Sequence, residues 1–512
     1  MTRNFFLTTV ILMFIFVGLY PQSVINKTDI NPTGTKVFGA LLLDKDTQRP
    51  LPYANIHVLN TNRGTVSNEM GNFTIDIAGL DRTDTLRFQY IGYATLNIPL
   101  SRLDTVSVVF MKEEIFNLSE TVIFAHTPNV ESIIRNVIKN KDSNYRPTTS
   151  LRQTFIRERY TSDFDKVRLT YKKSSIADLN RDLIKLMEDK MPKHSTSYTD
   201  FLGYLYTSGV EDDSIKLKID PIRAVSLKEK DIAELNHLET IFKNIFANTD
   251  KEEYWKIKSG ILSQKMEIDN TSDSTENDTI NDNARKVKYF QRSTAYKFKY
   301  STLENKDEWE FLYSPSKYDY TLVGGTRVNG EDVYIIDFAP RKSGNFRGRV
   351  YISIDTYALI RADYEYAPGK IGRDFQLFGV GYTENAFAGS IYFEKRGDNY
   401  LLKYYSKKAG SYVSFDRDVS MLKKKERFLF DKKIKEIKVG VDISLTSESS
   451  IEMLILEETD IPHEQFINFE QDEFMDIIYV DQFDDKLWRG FSIIEPTQQM
   501  KEYKKQMVDY ND

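Results

Sequence analysis

The sequence predicts an α+β protein that is mainly β. It is expected to have an N-terminal seven-stranded-type antiparallel β-sandwich, followed by a larger curved antiparallel sheet with packed helices. A chain of 512 residues is longer than a single hydrophobic core usually supports, so more than one domain is expected. Aromatic residues make up 13% of the chain, with 31 Tyr and 32 Phe, and such residues pack well across strands. Short alternating apolar runs are separated by Gly, Asn and Asp, which is typical of strands joined by tight turns.

Residues 1–23 predict a signal peptide. Arg3 precedes the apolar stretch FFLTTVILMFIFVGLY, and the polar residues PQS follow it. Pro21 is a poor residue near the cleavage point, so an uncleaved anchor is the alternative. No later stretch is apolar enough for a second helical span. We therefore expect export to the periplasm or to the periplasmic face of the outer membrane. The absence of cysteine excludes disulfides, thiol nucleophiles and Cys-ligated zinc.

The sandwich is predicted over residues 36–112, because alternation with period two sorts its side chains onto two faces. The residues expected to face inward are Ala54, Ile56, Val58, Phe73, Ile75, Ile77, Leu86, Phe88, Tyr90, Val106, Val108 and Phe110. Gly64 and Gly71 are expected in turns, since the G-x-x-x-x-G-K-[ST] order of a phosphate-binding loop is absent. His57 is expected on the solvent or sheet-edge face.

The run PLPYANIHVLNTNRGTVSNEMGNFTI followed by DTLRFQYIGY resembles the carboxypeptidase-regulatory-like domain, a transthyretin-like β-sandwich. The ordered set P-L-P-x-A, G-T, G-x-F and I-G-Y carries the resemblance. It implies a non-catalytic module that is common in exported proteins of some Gram-negative bacteria, outer-membrane receptors among them. Whether the module here recognises a partner or acts as a spacer is left open.

The histidines exclude the metallopeptidase itself. A zinc carboxypeptidase needs a His with a Glu three residues further on, and a distant second His. The five histidines are His57, His126, His194, His237 and His463. The residues three positions beyond them are Asn60, Asn129, Ser197, Thr240 and Phe466. The sequence therefore predicts that the protein is not an enzyme. It predicts no catalytic residues, no cofactor or cofactor-binding residues and no metal site.

Residues 113–127 are predicted to link the sandwich to an α+β domain over residues 128–460. That domain is expected to open with a helix that Thr127 caps and Pro128 begins. The apolar face of this helix is Val130, Ile133, Ile134, Val137 and Ile138.

Further elements follow in the same domain. LRQTFIRERYT, which contains Phe155, predicts a strand. Two more helices are expected in IADLNRDLIKLMEDKM and SLKEKDIAELNHLETIFKNIFAN, the second with Ser226 and Glu229 at capping-box spacing. The polar, acidic residues 266–288 predict a disordered loop, and they lack the glycine of a calcium-binding loop.

A long run of strands is predicted after this loop, with turns at RGDN and KKAG. The predicted strands are AYKFKYSTL, EWEFLYS, DYTLVGGTRV, EDVYIIDFAP, GRVYISIDTYALIRADYEYA, SIYFEKRGDNYLLKYYSKKAGSYVSFDRDV, KVGVDISL and SIEMLILEE. In EWEFLYS, Glu308 and Glu310 share one face. Such paired carboxylates can serve glycoside hydrolysis, but 76 acidic residues also produce such pairs by chance. Residues 461–512 are expected to form a mixed tail that ends in the charged helix TQQMKEYKKQMVDY.

The segment VNGEDVYIIDFAPRKSGNFRGRVYISIDTYALIRADYEY is similar to the half-barrel of periplasmic lipoprotein carriers. The resemblance rests on a strand ending in D-F-x-P before a strand carrying I-D-x-x-x-x-I. It implies a curved sheet with helices on its concave side, an arrangement that can hold an acyl chain. An ordinary filled core is the alternative.

The charge pattern does not favour nucleic acid as a partner, because 70 basic and 76 acidic residues give a net charge of −6. The basic run MLKKKERFLFDKKIKEIK at 421–438 fits either anionic lipid headgroups or a solvated hairpin face. Neither G-x-S-x-G nor G-x-G-x-x-G occurs in a catalytic or nucleotide-binding context.

These observations predict a non-enzymatic cell-envelope protein that binds a protein partner or assists outer-membrane assembly. A lipid or lipoprotein carrier, with lipid as its ligand, is one alternative. An unrecognised hydrolase is the other. The sequence leaves the oligomeric state open.

Overall fold

The computed structural model describes residues 37–61, 63–103, 106–115, 129–211, 214–228, 253–260, 262–266, 284–298, 303–427, 431–488, 491 and 493–503. Among these residues, no helix combines the length and the apolarity that crossing a membrane requires. The fold is mainly β, as the sequence predicts.

Seven short strands form the N-terminal sandwich. They are β1 (Val37–Asp44), β2 (Asn55–Val58), β3 (Gly64–Val66), β4 (Asn72–Asp76), β5 (Thr85–Gln89), β6 (Leu96–Pro99) and β7 (Val108–Met111). One sheet has the order β4-β1-β7 and the other β3-β2-β5-β6. The sandwich is not purely antiparallel, because β7 runs parallel to β1.

The core of the sandwich confirms most of the predicted inward face. Ile56 and Val58 are fully buried, as are Leu86 and Phe88, and Phe73 packs edge-on against Phe88. The register of the last strand was predicted wrongly. Val109 and Met111 are buried there, whereas Phe110 is 43% exposed. A shift of one residue turns every side chain of a strand to the other face, and here pairing with β1 selects the residues that face inward.

The remaining strands, apart from β13 and β22, which pair with each other, build one sheet of 14 strands. Their bounds are β8 (Thr149–Ser174), β9 (His194–Glu211), β10 (Ser214–Lys228), β11 (Glu253–Ser259), β12 (Leu262–Met266), β13 (Ala284–Lys286), β14 (Tyr318–Val328), β15 (Glu331–Pro340), β16 (Phe346–Ser353), β17 (Leu359–Tyr366), β18 (Asp374–Leu377), β19 (Val380–Arg396), β20 (Asn399–Lys425), β21 (Lys432–Asp460), β22 (Phe474–Asp476) and β23 (Ile478–Val480).

The main path of the large sheet is β14-β15-β16-β17-β19-β20-β21-β8-β9-β10-β23. Two runs of consecutive strands meet where β21 pairs with β8. Neighbouring strands are antiparallel except β10 and β23, so the sheet is mixed rather than purely antiparallel. Off this path, β11 extends the edge of β20 and carries β12, while β18 pairs with β19.

Helices are short and few among the described residues. They are α1 (Val130–Lys139), α2 (Lys141–Asn144), α3 (Arg181–Lys190), α4 (Val287–Phe298), α5 (Glu310–Tyr313), α6 (His463–Asn468) and α7 (Gln498–Lys501). Three 3-10 turns are described as well, at Leu100–Arg102, Pro315–Lys317 and Asp485–Trp488.

The caps of the predicted helices differ from expectation. Helix α1 buries Ile133, Ile134 and Val137 as predicted, but its N-cap is Asn129, whose side chain accepts a hydrogen bond from the Ser132 amide at 3.2 Å. Thr127 and Pro128 lie outside the described residues. The predicted capping box at Ser226 is wrong, because that residue belongs to β10. Glu229 and the rest of that predicted helix lie outside the described residues.

Two predicted strands are helices. Ala295–Phe298, the start of AYKFKYSTL, belongs to α4, and most of EWEFLYS forms α5. The buried residues of α4 include Val287, Thr294 and Phe298, which follow the helical repeat rather than the local alternation. The predicted loop 266–288 contributes Met266 to β12, residues 284–286 to β13 and residues 287–288 to α4. Residues 267–283 lie outside the described residues.

The strands of the large sheet are longer than predicted. Strand β20 runs through KKAG without a turn, and the two late predicted strands are one, β21. Both long strands have hydrogen-bonded neighbours, which keep polar segments extended. The predicted turn at RGDN is confirmed between β19 and β20. In the tail, the predicted charged helix is described only as α7, and residues beyond 503 lie outside the described residues.

The middle of the large sheet is buried on both faces. Tyr404, Leu454, Phe155 and Leu202 are aligned across four strands and face one cluster, while the next residues along those strands face the opposite cluster. That second row is Tyr405, Met453, Ile156 and Phe201. Because successive side chains of a strand alternate, two separate layers must cover the sheet.

Helices α1, α4 and α5 form one covering layer, and their side of the sheet is packed with rings. Phe311 stacks on Phe338 with ring centroids 4.4 Å apart, and Phe290 of α4 lies 4.4 Å from Phe201. Trp309 and Phe311 are both fully buried. These rings form part of the core on this side of the sheet.

Candidate functional site

The sandwich and the C-terminal tail form the second covering layer. Tyr53 of the sandwich stacks on Tyr404 of β20, with ring centroids 4.5 Å apart and planes 25° apart. The Tyr90 ring lies under the guanidinium of Arg361, at 4.4 Å, and its hydroxyl oxygen accepts a hydrogen bond from Arg361 at 3.0 Å. The sandwich is therefore fixed to the sheet by aromatic and cationic contacts.

Arg361 is a deeply buried charge in this interface, with 3% of its surface exposed. Asp363 accepts two hydrogen bonds from it, at 2.7 and 3.0 Å. Burial disfavours the charged guanidinium, but the Asp363 carboxylate outweighs that cost and the pKa of Arg361 is raised. Arg361 therefore stays charged, and both its Nε and its Nη2 have hydrogen-bond partners.

The tail segment 493–495 lies between the sandwich and the sheet and is held by its main chain. Thr65 and Asn68 of the sandwich donate to the carbonyl oxygens of Ile493 and Glu495, at 3.0 and 3.1 Å. Arg157 of β8 donates to the Ile494 oxygen at 2.9 Å and binds both oxygens of Asp200, at 2.8 and 2.7 Å. The Ile494 side chain is fully buried. The tail segment therefore bridges the two domains.

Beside these contacts a cleft of about 320 Å³ remains open between the domains. Its sandwich wall comprises Asn55, His57, Thr61, Arg63, Gly64 and Thr65. Its sheet wall includes the polar residues Gln153, Glu394, Lys403 and Glu457 above an apolar floor of Leu202 and Leu454, and Phe491 of the tail closes one side. The volume is at the lower end of the ~300–1,000 Å³ typical of ligand pockets.

His57 lines this cleft rather than open solvent or a sheet edge. Its neighbours Ile56 and Val58 face the sandwich core, so the imidazole faces the large sheet. Burial lowers the pKa of His57, nearby Arg87 and Lys403 lower it further, and Glu394 opposes them. Its buried Nδ1 has no hydrogen-bond partner among the described residues. The imidazole therefore lines the cleft while its Nδ1 is buried and unpaired.

The two glycines that the sequence assigns to turns differ in position. Gly71 is in a turn as predicted, with a φ of +78°, and an added Cβ would lie 2.6 Å from the Leu42 oxygen. Gly64 is the first residue of β3, not a turn residue, and an added Cβ would lie 3.2 Å from the Ile56 oxygen. Gly64 thus allows the close approach of β3 to β2 at the rim of the cleft.

The predicted carboxylate pair does not converge on a substrate site. Glu308 precedes α5 and pairs with Lys407, while Glu310 is in α5 and pairs with Lys317 and Tyr318. Burial raises the pKa of Glu308 against the effect of Lys407. Burial would also raise the pKa of Glu310, but the bonds from Lys317 and Tyr318 lower it. Each carboxylate forms an ion pair with its own lysine, an arrangement that serves the fold rather than a substrate.

One polar chain was not foreseen from the sequence. His194 Nδ1 lies 2.6 Å from Asp163, and its Nε2 lies 3.2 Å from the Thr196 hydroxyl. This order matches a hydroxyl–histidine–carboxylate triad, yet Thr196 is only 5% exposed and its hydroxyl also lies 3.1 Å from that of Thr161. A substrate carbonyl cannot reach that oxygen. Within the described residues, no cluster of three or more His, Asp or Glu could hold a metal ion.

Residues 41–123 match the CarboxypepD_reg-like domain, so the resemblance seen in the sequence is confirmed for the sandwich. No enzyme family is found for the chain, and no curated protein matches it.

Three solved structures show distant similarity. A putative outer membrane lipoprotein-sorting protein domain from Vibrio parahaemolyticus has 9% identity over 66% of this chain and 97% of its own, with a TM-score of 0.20. MucB in the Pseudomonas aeruginosa MucA/MucB complex has 8% identity over 62% and 93%, at 0.16. A LolA superfamily protein from Nitrosomonas europaea has 9% identity over 66% and 98%, at 0.15. TM-scores of this size do not establish a shared fold.

Proposed function

We propose that the protein is a non-catalytic component of the Gram-negative cell envelope that binds an extended segment of a partner protein in the cleft between sandwich and sheet. The observation that carries this proposal is the cleft itself. It is a gap at a domain interface that is otherwise closed by Tyr53, Arg361 and the tail segment. A spacer domain needs no such fixed orientation, whereas a binding site shared by two domains does.

The lining of the cleft suits a peptide. Arg63 and Lys403 bring positive charge, and Glu394 and Glu457 bring negative charge, so the lining is of mixed sign rather than selective for an anion. Gln153 and Asn55 provide further hydrogen-bonding groups. Strand β3 is one of the two edge strands of its sheet, and extended peptides commonly bind along such edges.

Position-specific photo-crosslinking in intact cells tests the proposal. A photoreactive phenylalanine at Thr61, on the rim of the cleft, is expected to capture one envelope protein. The same group at Lys45, which is exposed outside the cleft, is the matched control. Gln153→Trp should abolish capture from Thr61 by filling the cleft, with the far-ultraviolet circular dichroism unchanged. Capture that is equal from both positions, or that persists in the Gln153→Trp background, would contradict the proposal.

A further inference from the structure

The ends of four strands form a second polar surface far from the cleft. We call it the lysine end, and it comprises Lys172–Ser174 of β8, Glu253–Lys258 of β11, Met421–Lys425 of β20 and Lys432–Lys438 of β21. Strand β20 connects it to the sandwich interface at Tyr404. At about 3.4 Å per residue, Lys425 lies up to about 70 Å from Tyr404.

The strand register at the lysine end places lysines directly opposite lysines. Three consecutive cross-strand pairs between β20 and β21 are of this kind: Lys423 with Lys435, Lys424 with Lys433, and Lys425 with Lys432. Lys438 is opposite Lys173, and Lys256 is opposite Lys265 of β12. Side chains opposite each other lie about 5 Å apart at Cβ, and like charges at that distance destabilise a sheet. The pattern therefore costs folding free energy wherever carboxylates do not neutralise it.

Neighbouring carboxylates neutralise only part of this charge. Glu436 pairs with Lys173 and Lys433, at 2.9 and 2.7 Å, and Asp418 pairs with Lys438 at 2.7 Å. Glu253 pairs with the buried Lys423 at 2.9 Å, and Glu426 pairs with Lys265 at 2.5 Å. Another five lysines form no ion pair with any residue that the structure describes: Lys256, Lys258, Lys424, Lys432 and Lys435. A chain with a net charge of −6 thus carries a concentrated positive field at one end.

We propose that the lysine end binds the anionic headgroups of a lipid bilayer. The cations there are lysines, apart from the adjacent Arg427. Lysine is a mobile, strongly hydrated point charge that suits diffuse attraction to a charged plane, whereas arginine is preferred for paired contacts with a single phosphate or a base edge. Ile434, which is 39% exposed among these lysines, adds an apolar contact at the same surface. The site is independent of the cleft.

Vesicle co-sedimentation tests the inference, using the chain without residues 1–23, which leaves every described residue in place. Binding is expected to vesicles that contain phosphatidylglycerol and not to vesicles of phosphatidylcholine alone. Because surface charges are screened over about 10 Å at 0.1 M salt, binding should weaken as salt is added. Equal binding to both kinds of vesicle would overturn the inference.

Charge-removing variants localise the surface. Replacing three lysines at this end by Gln should weaken vesicle binding about tenfold or more: Lys258, Lys424 and Lys432. The matched control removes the same charge from three exposed lysines elsewhere: Lys45, Lys342 and Lys486. The control should bind as the parent does, and thermal melts of both variants check folding. Equal loss in both triple variants would contradict the location.

A fluorescent DNA oligonucleotide separates lipid from other anionic partners. The oligonucleotide should bind more weakly than the phosphatidylglycerol vesicles at the same ionic strength. Equal or tighter binding that the Lys258, Lys424 and Lys432 substitutions remove would replace lipid with nucleic acid as the partner.

Discussion

At the residue scale, His57 shows what the sequence can predict about a side chain and what it cannot. Alternation along β2 correctly places Ile56 and Val58 in the sandwich core and His57 on the opposite face. The sequence could not show that the large sheet covers this face, because the covering residues Glu394 and Lys403 come more than 300 positions later. Local periodicity determines the face of a side chain but not what lies against it.

The burial of His57 gives a prediction about its titration. Its pKa is expected below the ordinary value of 6.5, because burial and the nearby Arg87 disfavour the charged imidazole. The unfolded chain then binds the proton more readily. Stability from the neutral imidazole is therefore present above pH 6.5 and is lost as the pH falls below that value towards the folded pKa. A proton NMR titration of the histidines measures it, with His57→Gln assigning the signal. A pKa above 6.5 would contradict the prediction.

Gly71 is expected to tolerate no side chain. Its φ is +78° and an added Cβ would meet the Leu42 oxygen at 2.6 Å, so Gly71→Ala should cost about 2–4 kcal/mol in the free energy of unfolding. Gly330 is the matched control, since its φ is +86° but nothing lies within 4 Å of its added Cβ. Gly330→Ala should cost about 1 kcal/mol. Urea denaturation measures both, and equal costs would show that the contact with Leu42 is relieved easily.

At the scale of elements, short strands with their own turns were predictable and long strands were not. The sequence identifies β15 and the turn at RGDN, because apolar alternation and turn residues coincide there. It gives β16 and β17 as one segment, which the structure divides between Ser353 and Leu359. It fails at KKAG, because Gly410 is inside β20. An added Cβ there would lie 2.7 Å from Asn385 Oδ1, beside an irregularity in β19. This glycine allows two strands to approach each other closely. In the sequence, a glycine with this role cannot be distinguished from a glycine in a turn.

The hairpin between β18 and β19 gives a prediction at this scale. Its turn contains Phe378, with a φ of +50° and 72% of its surface exposed, followed by Gly379 with a φ of +77°. Asn is better suited than Phe to the first left-handed position of such a turn. Phe378→Asn should therefore raise the free energy of unfolding by about 0.5–1 kcal/mol, measured by urea denaturation. Phe378→Ala is the control that removes the ring without supplying the favourable turn residue, and equal effects would contradict the backbone argument.

At the scale of the whole molecule, the sequence predicts two domains but does not predict the contacts that join them. Arg361 and Asp363 occur in a segment whose sequence pattern is that of an ordinary strand with one buried face. Nothing in the neighbouring sequence indicates that Tyr90 of the sandwich covers them. The tail segment was expected only as part of a mixed tail, yet its carbonyl groups accept bonds from both domains. Such contacts depend on residues far apart in the chain, so no local pattern encodes them.

The interface predicts that sandwich and sheet unfold together. Arg361→Ala removes the hydrogen bonds to Asp363 and Tyr90, so it should cost about 2–3 kcal/mol and separate one calorimetric transition into two. Arg347→Ala is the control from the neighbouring strand, because its pair with Glu365 is half exposed on both sides and should cost less than about 1 kcal/mol. A single transition in both variants would show that Arg361 does not couple the domains.

The tail segment also ties the sandwich to a distant part of the chain. The sandwich has a hydrophobic core of its own. Thr65 and Asn68, however, meet their acceptors only when residues 493–495 are in place, across separations of 428 and 427 positions. Closing a loop of that length costs conformational entropy. Docking of the sandwich on the sheet is therefore expected to follow the formation of both cores.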